Sequence, residues 1–103
     1  DPQFVEAARA LADRALELGG ASDESRIDFM ARRVLARPLD ADEMAIAKTS
    51  LATLLDHYKG HADDAQGVVT VGESKPRSPD AGLLAGWTMF ANELLNLDEA
   101  LCK

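Results

Sequence analysis

The sequence has one cysteine and few aromatic residues, and each shortage excludes a class of protein. Cys102 has no second cysteine with which to pair, so an internal disulfide scaffold is excluded. Without a Cys-x-x-Cys-His motif, the chain cannot attach a c-type haem covalently. Aromatic residues make up 5% of the chain, which provides little surface for stacking against a sugar ring.

Basic charge and long apolar runs are also scarce. Eleven Lys and Arg residues stand against 18 Asp and Glu residues, which gives a net charge of −7. This excess repels phosphate backbones and anionic lipid, so we expect no nucleic-acid partner. The apolar runs are shorter than the roughly 20 residues that cross a bilayer, so we also expect no membrane-spanning segment. The oligomeric state does not follow from these features.

The residues that are present are typical of a globular protein. Hydrophobic residues make up 47% of the chain and charged residues 28%, and 103 residues suffice for one core. We therefore predict a single helical domain over residues 1–103. Because the sequence starts at Asp1-Pro2 without an initiator methionine, we expect it to be an excised piece of a longer protein.

Apolar residues recur mainly at helical spacing, which predicts an all-α fold. We expect a compact bundle of four to five antiparallel helices with the last helix at its centre. The first helix begins at Asp1-Pro2 and carries an apolar stripe from Phe4 to Leu18. The glycine pair 19–20 ends it.

A second helix follows the glycine pair. Ser22 or Asp23 can cap it, its apolar stripe runs from Ile27 to Leu35, and Pro38 ends it. Phe29 points away from this stripe, so either the helix is covered on two sides, which we favour, or the ring is exposed. Phe29 is therefore a candidate for an interaction surface.

The third helix has the clearest start signal in the chain. Asp40 as N-cap and Glu43 three residues later form a capping box, and Leu39 can pack against Met44. An apolar arc then continues to Gly60, which closes the helix.

The segment 61–75 has mixed preferences. Residues 68–71 favour a strand because they are β-branched, whereas residues 62–66 favour a helix. One strand alone has no partner, so we predict a short helix followed by a loop. The last helix then begins near Pro79 or Asp80.

Asp98 interrupts the apolar side of the last helix. Apolar residues cover about half of the circumference of this helix, and Asp98 would project into their middle if the helix were regular. An unpaired buried carboxylate is costly. Either the helix breaks near Asn96 and Asp98 caps a final turn, or Asp98 pairs with Arg33 or Arg37.

Few motifs carry chemistry. His57 and His61 have the spacing of a metal site on one helical face, but Gly60 should end the helix between them and turn His61 off that face. They are weak metal candidates. The glycines at 67 and 72 have P-loop spacing, yet Glu73 stands where lysine must meet the phosphates. The sequence predicts no catalytic residue, no metal site and no cofactor in this chain.

Asn92 and Asn96 lie one turn apart and can form a polar seam against another domain. Together with Phe29 they form the candidate interaction surface. The function that fits best is a non-catalytic scaffold or interaction module that docks on other domains of its parent protein. Two alternatives are a small-ligand or carbohydrate-binding module, and part of a composite enzyme site to which His57 or Asp98 contributes.

Three blocks carry a family resemblance. They are DPQFVEAARALADRAL at 1–16, RIDFMARRVLARPLDADEMAI at 26–46 and AGWTMFANELLNLDEAL at 85–101. In order and spacing they resemble the C-terminal part of the PSD domain, a domain of unknown function in large planctomycete-type multidomain proteins. The family often has an aromatic residue where Ala100 follows Glu99, which is a departure.

The resemblance implies that this chain is the C-terminal fragment of a larger multidomain protein, and it implies no site residue. Cytochrome c-like domains commonly stand toward the amino terminus in this family, so any haem would lie elsewhere in the parent protein. The parent would be exported, which implies an extracytoplasmic location for this chain. Its partners would then be other domains of the same polypeptide.

Overall fold

Five helices and no strand form in the residues that the computed structural model describes. These are residues 2–69 and 80–101 for the backbone, and residues 6–69 and 80–97 for the side chains. The predicted all-α fold is confirmed. In chain order the helices are α1 (Pro2–Leu18), α2 (Asp23–Val34), α3 (Ala41–Lys59), α4 (Ala62–Val69) and α5 (Ala81–Leu101).

Three helices begin where a side-chain oxygen accepts a hydrogen bond from a free backbone amide. Ser22, rather than Asp23, caps α2 and accepts a hydrogen bond from the amide of Ser25 at 3.1 Å. Asp40 caps α3 with both hydrogen bonds of the capping box, as predicted. Asp80 accepts from the third amide of α5 at 3.0 Å, which places that start as expected.

The ends of α2 and α4 have different causes. The backbone conformation ends α2, and a side chain from α1 holds the end of α4. Helix α2 ends at Val34, before the end of its apolar stripe, because Ala36 adopts a left-handed φ of 60°. Helix α4 includes Val68 and Val69 despite their preference for strands. The guanidinium of Arg9 on α1 donates to the last carbonyl of α4, that of Val69, at 3.0 Å. The loop predicted after α4 lies outside the described residues.

Helix α5 is the centre of the bundle, as predicted. It packs against α1, α2, α3 and α4. Its buried side chains include Leu84, Trp87, Phe90 and Leu94. Although α5 is rich in apolar residues, none of the described helices has a stretch long and apolar enough to cross a membrane.

The end of α5 corrects one sequence prediction. The helix continues to Leu101, so the predicted break near Asn96 is wrong. Asparagine tolerates a left-handed turn but does not require one, and no glycine or proline follows it. Of the two arginines considered as partners of Asp98, Arg37 binds Glu43. The Asp98 side chain lies outside the described residues.

Helices α3 and α5 run antiparallel along their shared face. Ser50 donates to Glu93 at 2.8 Å, whereas Leu55, one turn farther along α3, lies against Gly86, two turns earlier on α5. A Cβ atom at Gly86 would lie 2.5 Å from the Leu55 Cδ2 atom and 3.2 Å from its Cα atom. The missing side chain therefore allows the two helices to approach closely at this point.

Candidate interaction surface

A groove with a volume of about 290 Å³ lies between α3 and α5, beyond the Ser50–Glu93 hydrogen bond and away from the close contact at Gly86. We call it the α3–α5 groove. Ala47 of α3 and Phe90 and Leu94 of α5 provide its better-buried apolar walls. It is lined by Leu39, Glu43, Ile46, Ala47, Ser50, Phe90, Glu93, Leu94 and Leu97.

Two exposed apolar side chains flank the groove. Ile46 on α3 is 71% exposed and Leu97 on α5 is 45% exposed. The helical wheel of α5 places Leu97 in the apolar arc, which predicts a buried side chain. The observed exposure of Leu97 differs from that prediction. Single exposed apolar residues are common, but two beside one apolar groove form a continuous patch. This patch is the strongest candidate for a binding surface in the described residues.

Glu93 forms the polar end of the groove nearest the middle of α3. Its carboxylate accepts the hydroxyl hydrogen bond of Ser50 at 2.8 Å, and its side chain is exposed. Within the described part of the chain, no cation forms an ion pair with Glu93. The groove therefore ends at an exposed carboxylate that lacks a positive partner there.

Glu43, which Arg37 holds from outside the groove lining, forms the opposite polar end. Two guanidinium nitrogens of Arg37 donate to the two carboxylate oxygens of Glu43, each at 2.8 Å. The Asp40 backbone amide also donates to Glu43, at 2.9 Å. The bonds from Arg37 first, and from Asp40 second, lower the pKa of Glu43 to about 2. Arg37 is thus already engaged, and the groove keeps an excess of negative charge.

The two histidines come together, but not in the geometry of a metal site. Gly60 ends α3 as predicted, yet the His61 ring stacks on the His57 ring with centroids 4.3 Å apart and 15° between the planes. His61 thus lies outside α3, but the turn at Gly60 does not separate the two rings. Nitrogen lone pairs lie in the ring planes, so stacked rings do not direct them at one ion about 2.0 Å away.

The acids near this pair do not complete a metal site. Asp64 lies 3.8 Å from the Nε2 atom of His57, and all three side chains are exposed. The Nδ1 atom of His61 is 2.6 Å from the His57 carbonyl oxygen and caps the end of α3. Across the residues with described side chains, no group of three or more His, Cys, Asp or Glu residues is placed to hold a metal ion.

A larger cleft of about 850 Å³ lies between the first turns of α2 and α3. Its charged groups are mostly acidic and largely engaged. Asp28 pairs with Arg32 at 2.8 Å, Glu24 pairs with Lys48 at 3.2 Å, and Asp40 caps α3. The remaining lining residues are Ser22, Asp23, Ser25, Leu39, Ala41, Met44 and Ala45. Such a lining is unfavourable for an anion, because the acids repel it.

The predicted surface residues belong to two helices, Phe29 to α2 and Asn92 and Asn96 to α5. Phe29 is half-buried against the core, and the guanidinium carbon of Arg33 lies 4.4 Å from its ring centroid. On α5, Asn92 is half-buried and Asn96 is exposed. None of these three residues lines the α3–α5 groove.

Sequence reasoning missed the side chains that flank the groove. Ile46 lies outside the apolar arc of α3, and this misplaced β-branched residue was the available signal.

No protein-family profile, curated protein or solved structure matches this chain. The resemblance to the PSD domain thus stays a prediction.

Proposed function

We propose that this chain is a non-catalytic interaction module that binds a segment of another protein domain in the α3–α5 groove. The observation that carries the proposal is the pair of exposed apolar side chains, Ile46 and Leu97, on either side of one apolar groove. Covering them with a partner would remove apolar surface from water, which is the main driving force of protein association.

The size of the groove favours a protein segment over a free small molecule. Its volume of about 290 Å³ is at the lower limit of pockets that enclose drug-sized ligands, which begin at about 300 Å³. Protein interfaces commonly use such a recess for one or two anchoring side chains, while neighbouring residues exclude water. The exposed Ile46 and Leu97 would then contact the partner beside the anchor.

The resemblance to the PSD domain supports a partner in the same polypeptide. In this proposal the chain is one module of a large extracytoplasmic multidomain protein, and haem, if present, lies in another domain. Interfaces between the domains of one chain are commonly modest in area, which suits a small patch on one module.

The test is an NMR titration of the isotope-labelled chain with the separately expressed remainder of its polypeptide. We expect amide shifts around the α3–α5 groove. The double variant Ile46→Ser/Leu97→Ser should lose them, because it removes apolar contact on both sides of the groove. Its own spectrum should otherwise stay that of a folded protein, since both residues are exposed.

Leu18→Ser is the matched control. Leu18 is another exposed leucine, 56% accessible, in the last turn of α1, and it does not line the groove. This variant should bind as the unchanged chain does. Shifts confined to the Phe29 region, or equal loss of binding in the control, would contradict the proposed groove, and no shift at high partner concentration would contradict the proposed function.

A further inference from the structure

We propose that the occupant of the α3–α5 groove is an amphipathic helix with a basic residue beside its apolar stripe. This inference rests on the proposed function and adds the chemical class of the partner. In this complex, apolar side chains of the partner enter the groove and a lysine or arginine reaches Glu93.

The spacing of the lining residues suits a helix. Ile46 and Ser50 are one turn apart on α3, and Glu93 and Leu97 are one turn apart on α5. Each side of the groove therefore repeats every four residues, or about 6 Å. Apolar residues at i and i+3 or i+4 of a partner helix repeat at the same distance, so they would meet successive turns of both helices.

The charge of the groove selects a basic partner. Glu93 is exposed and, among the described residues, is held only by the Ser50 hydroxyl. A helix seated beside it would remove water from this carboxylate, and an added cation would offset that cost. Arg37 cannot serve, because Glu43 engages both of its terminal nitrogens.

The same charges disfavour a second copy of this chain as the occupant. A symmetric dimer brings the same patch of both copies together, so two acidic rims would face each other. Each copy also carries a net charge of −7. The negative field that repels a second copy attracts a basic segment.

The test is a selection from a phage-displayed library of helical peptides of about 20 residues, a length that supports a helix. The unchanged chain is the bait, and Ile46→Ser/Leu97→Ser is the counter-selection. We expect enriched peptides to combine apolar residues at i and i+3 or i+4 with an excess of Lys and Arg. A synthesised peptide from this pool should bind the double variant about tenfold or more weakly.

Glu93→Gln separates the charge from the apolar contacts. Glutamine keeps an oxygen for the Ser50 hydroxyl but removes the negative charge, so the selected peptide should bind several-fold more weakly and with less dependence on salt. Leu18→Ser should leave its binding unchanged.

The outcomes distinguish the two proposals. Enrichment of neutral or acidic peptides, or binding that Glu93→Gln leaves unaltered, would overturn the inference and leave the groove as a binding site. No enrichment over the double variant would overturn this inference alone, because a partner segment that is not a helix would still shift the amides around the groove in the NMR titration. Sedimentation that shows a dimer of the unchanged chain, lost in the double variant, would assign the groove to a second copy instead.

Discussion

In the first half of α5, two neighbouring residues bury polar side-chain atoms. Trp87 and Thr88 are both 0% exposed. Neither the Trp87 Nε1 atom nor the Thr88 Oγ1 atom has a partner among the described residues. The Trp87 ring instead meets Phe90 edge-on with centroids 6.1 Å apart, and the Arg26 guanidinium carbon lies 5.9 Å from its centroid. Stability at this point comes from packing, while the buried hydroxyl is a cost.

Replacing that hydroxyl should stabilise the protein. Thr88→Val keeps the branched shape and exchanges an unpartnered hydroxyl for a methyl group, so we expect the free energy of unfolding to rise by about 1 kcal/mol. Urea denaturation measures it. Thr53→Val is the control, because Thr53 is exposed and its hydroxyl donates to the Thr49 carbonyl at 3.1 Å. A less stable Thr88→Val would contradict the expectation.

The Arg37–Glu43 pair predicts a pH dependence of stability in acid. The pKa of Glu43 falls from an ordinary 4.5 to about 2 in the folded state. A lowered folded-state pKa means that the stabilisation is fully present above the unfolded pKa and is lost as pH falls toward 2. The difference in melting temperature between the unchanged chain and Glu43→Gln should therefore be largest above about pH 4.5 and should shrink toward pH 2.

The carboxyl carbon of Glu43 provides a direct measurement of this titration. Its NMR midpoint should lie near 2 in the unchanged chain and should move toward 4.5 in Arg37→Gln, because the hydrogen bonds from Arg37, which lower this pKa most, are removed. A midpoint near 4.5 in both proteins would show that the pair does not form in solution.

At the scale of the helices, local signals decide where each begins, and contacts decide how closely two helices approach. Ser22, Asp40 and Asp80 all accept a hydrogen bond from an amide three residues later. The approach of α3 to α5 depends instead on Gly86, which lies against Leu55. Helical spacing cannot reveal this, because glycine in a helix is otherwise only an unfavourable residue.

Two glycine-to-alanine variants should have opposite effects for this reason. Gly86→Ala should destabilise the protein by about 1–3 kcal/mol, because the new Cβ meets the backbone and side chain of Leu55. Gly67→Ala is the matched control in α4, where nothing lies within 4 Å of the added atom. It should stabilise by up to about 1 kcal/mol through helix propensity. A denaturant midpoint for Gly86→Ala that rises or stays unchanged would contradict the close approach at Gly86.

At the scale of the whole molecule, one helix links all the others. Helix α5 packs against α1, α2, α3 and α4, and the buried side chains of all five helices belong to one cluster. The Arg9 hydrogen bond to the end of α4 adds a polar connection between residues 60 positions apart. Elements that share one core lose their packing together, so the chain should unfold as a single unit.

Trp87 allows this cooperativity to be measured. It is the one tryptophan in the sequence and is fully buried in the core, so its fluorescence reports the core. We expect its denaturation curve to coincide with that of far-ultraviolet circular dichroism, which reports the helices. Separate midpoints would show that part of the bundle unfolds independently of α5.

The helices that the sequence predicts best are those with strong local signals. The capping box at Asp40 and the stop at Gly60 define α3 to within a residue, and the pattern of α5 identifies the central helix. Val68 and Val69 were ambiguous because their intrinsic preference opposes the helix in which Val69 is buried. Among the residues of the α3–α5 groove, only Ile46 stood out in the sequence, because it is an apolar residue outside the apolar arc of α3.

Residue types and their spacing along the chain were enough for the all-α fold, the helix starts and the central place of α5, because caps and apolar periodicity act within a few residues. The α3–α5 groove depended on how two separate helices meet in three dimensions, and the stacking of His61 on His57 depended on the backbone turn at Gly60. The exposure of Leu97 depended on the same packing, because a wheel shows which side of a helix is apolar but not how far its neighbours extend along that side. Whether an apolar residue is buried or left for a partner is therefore a property of the packed bundle.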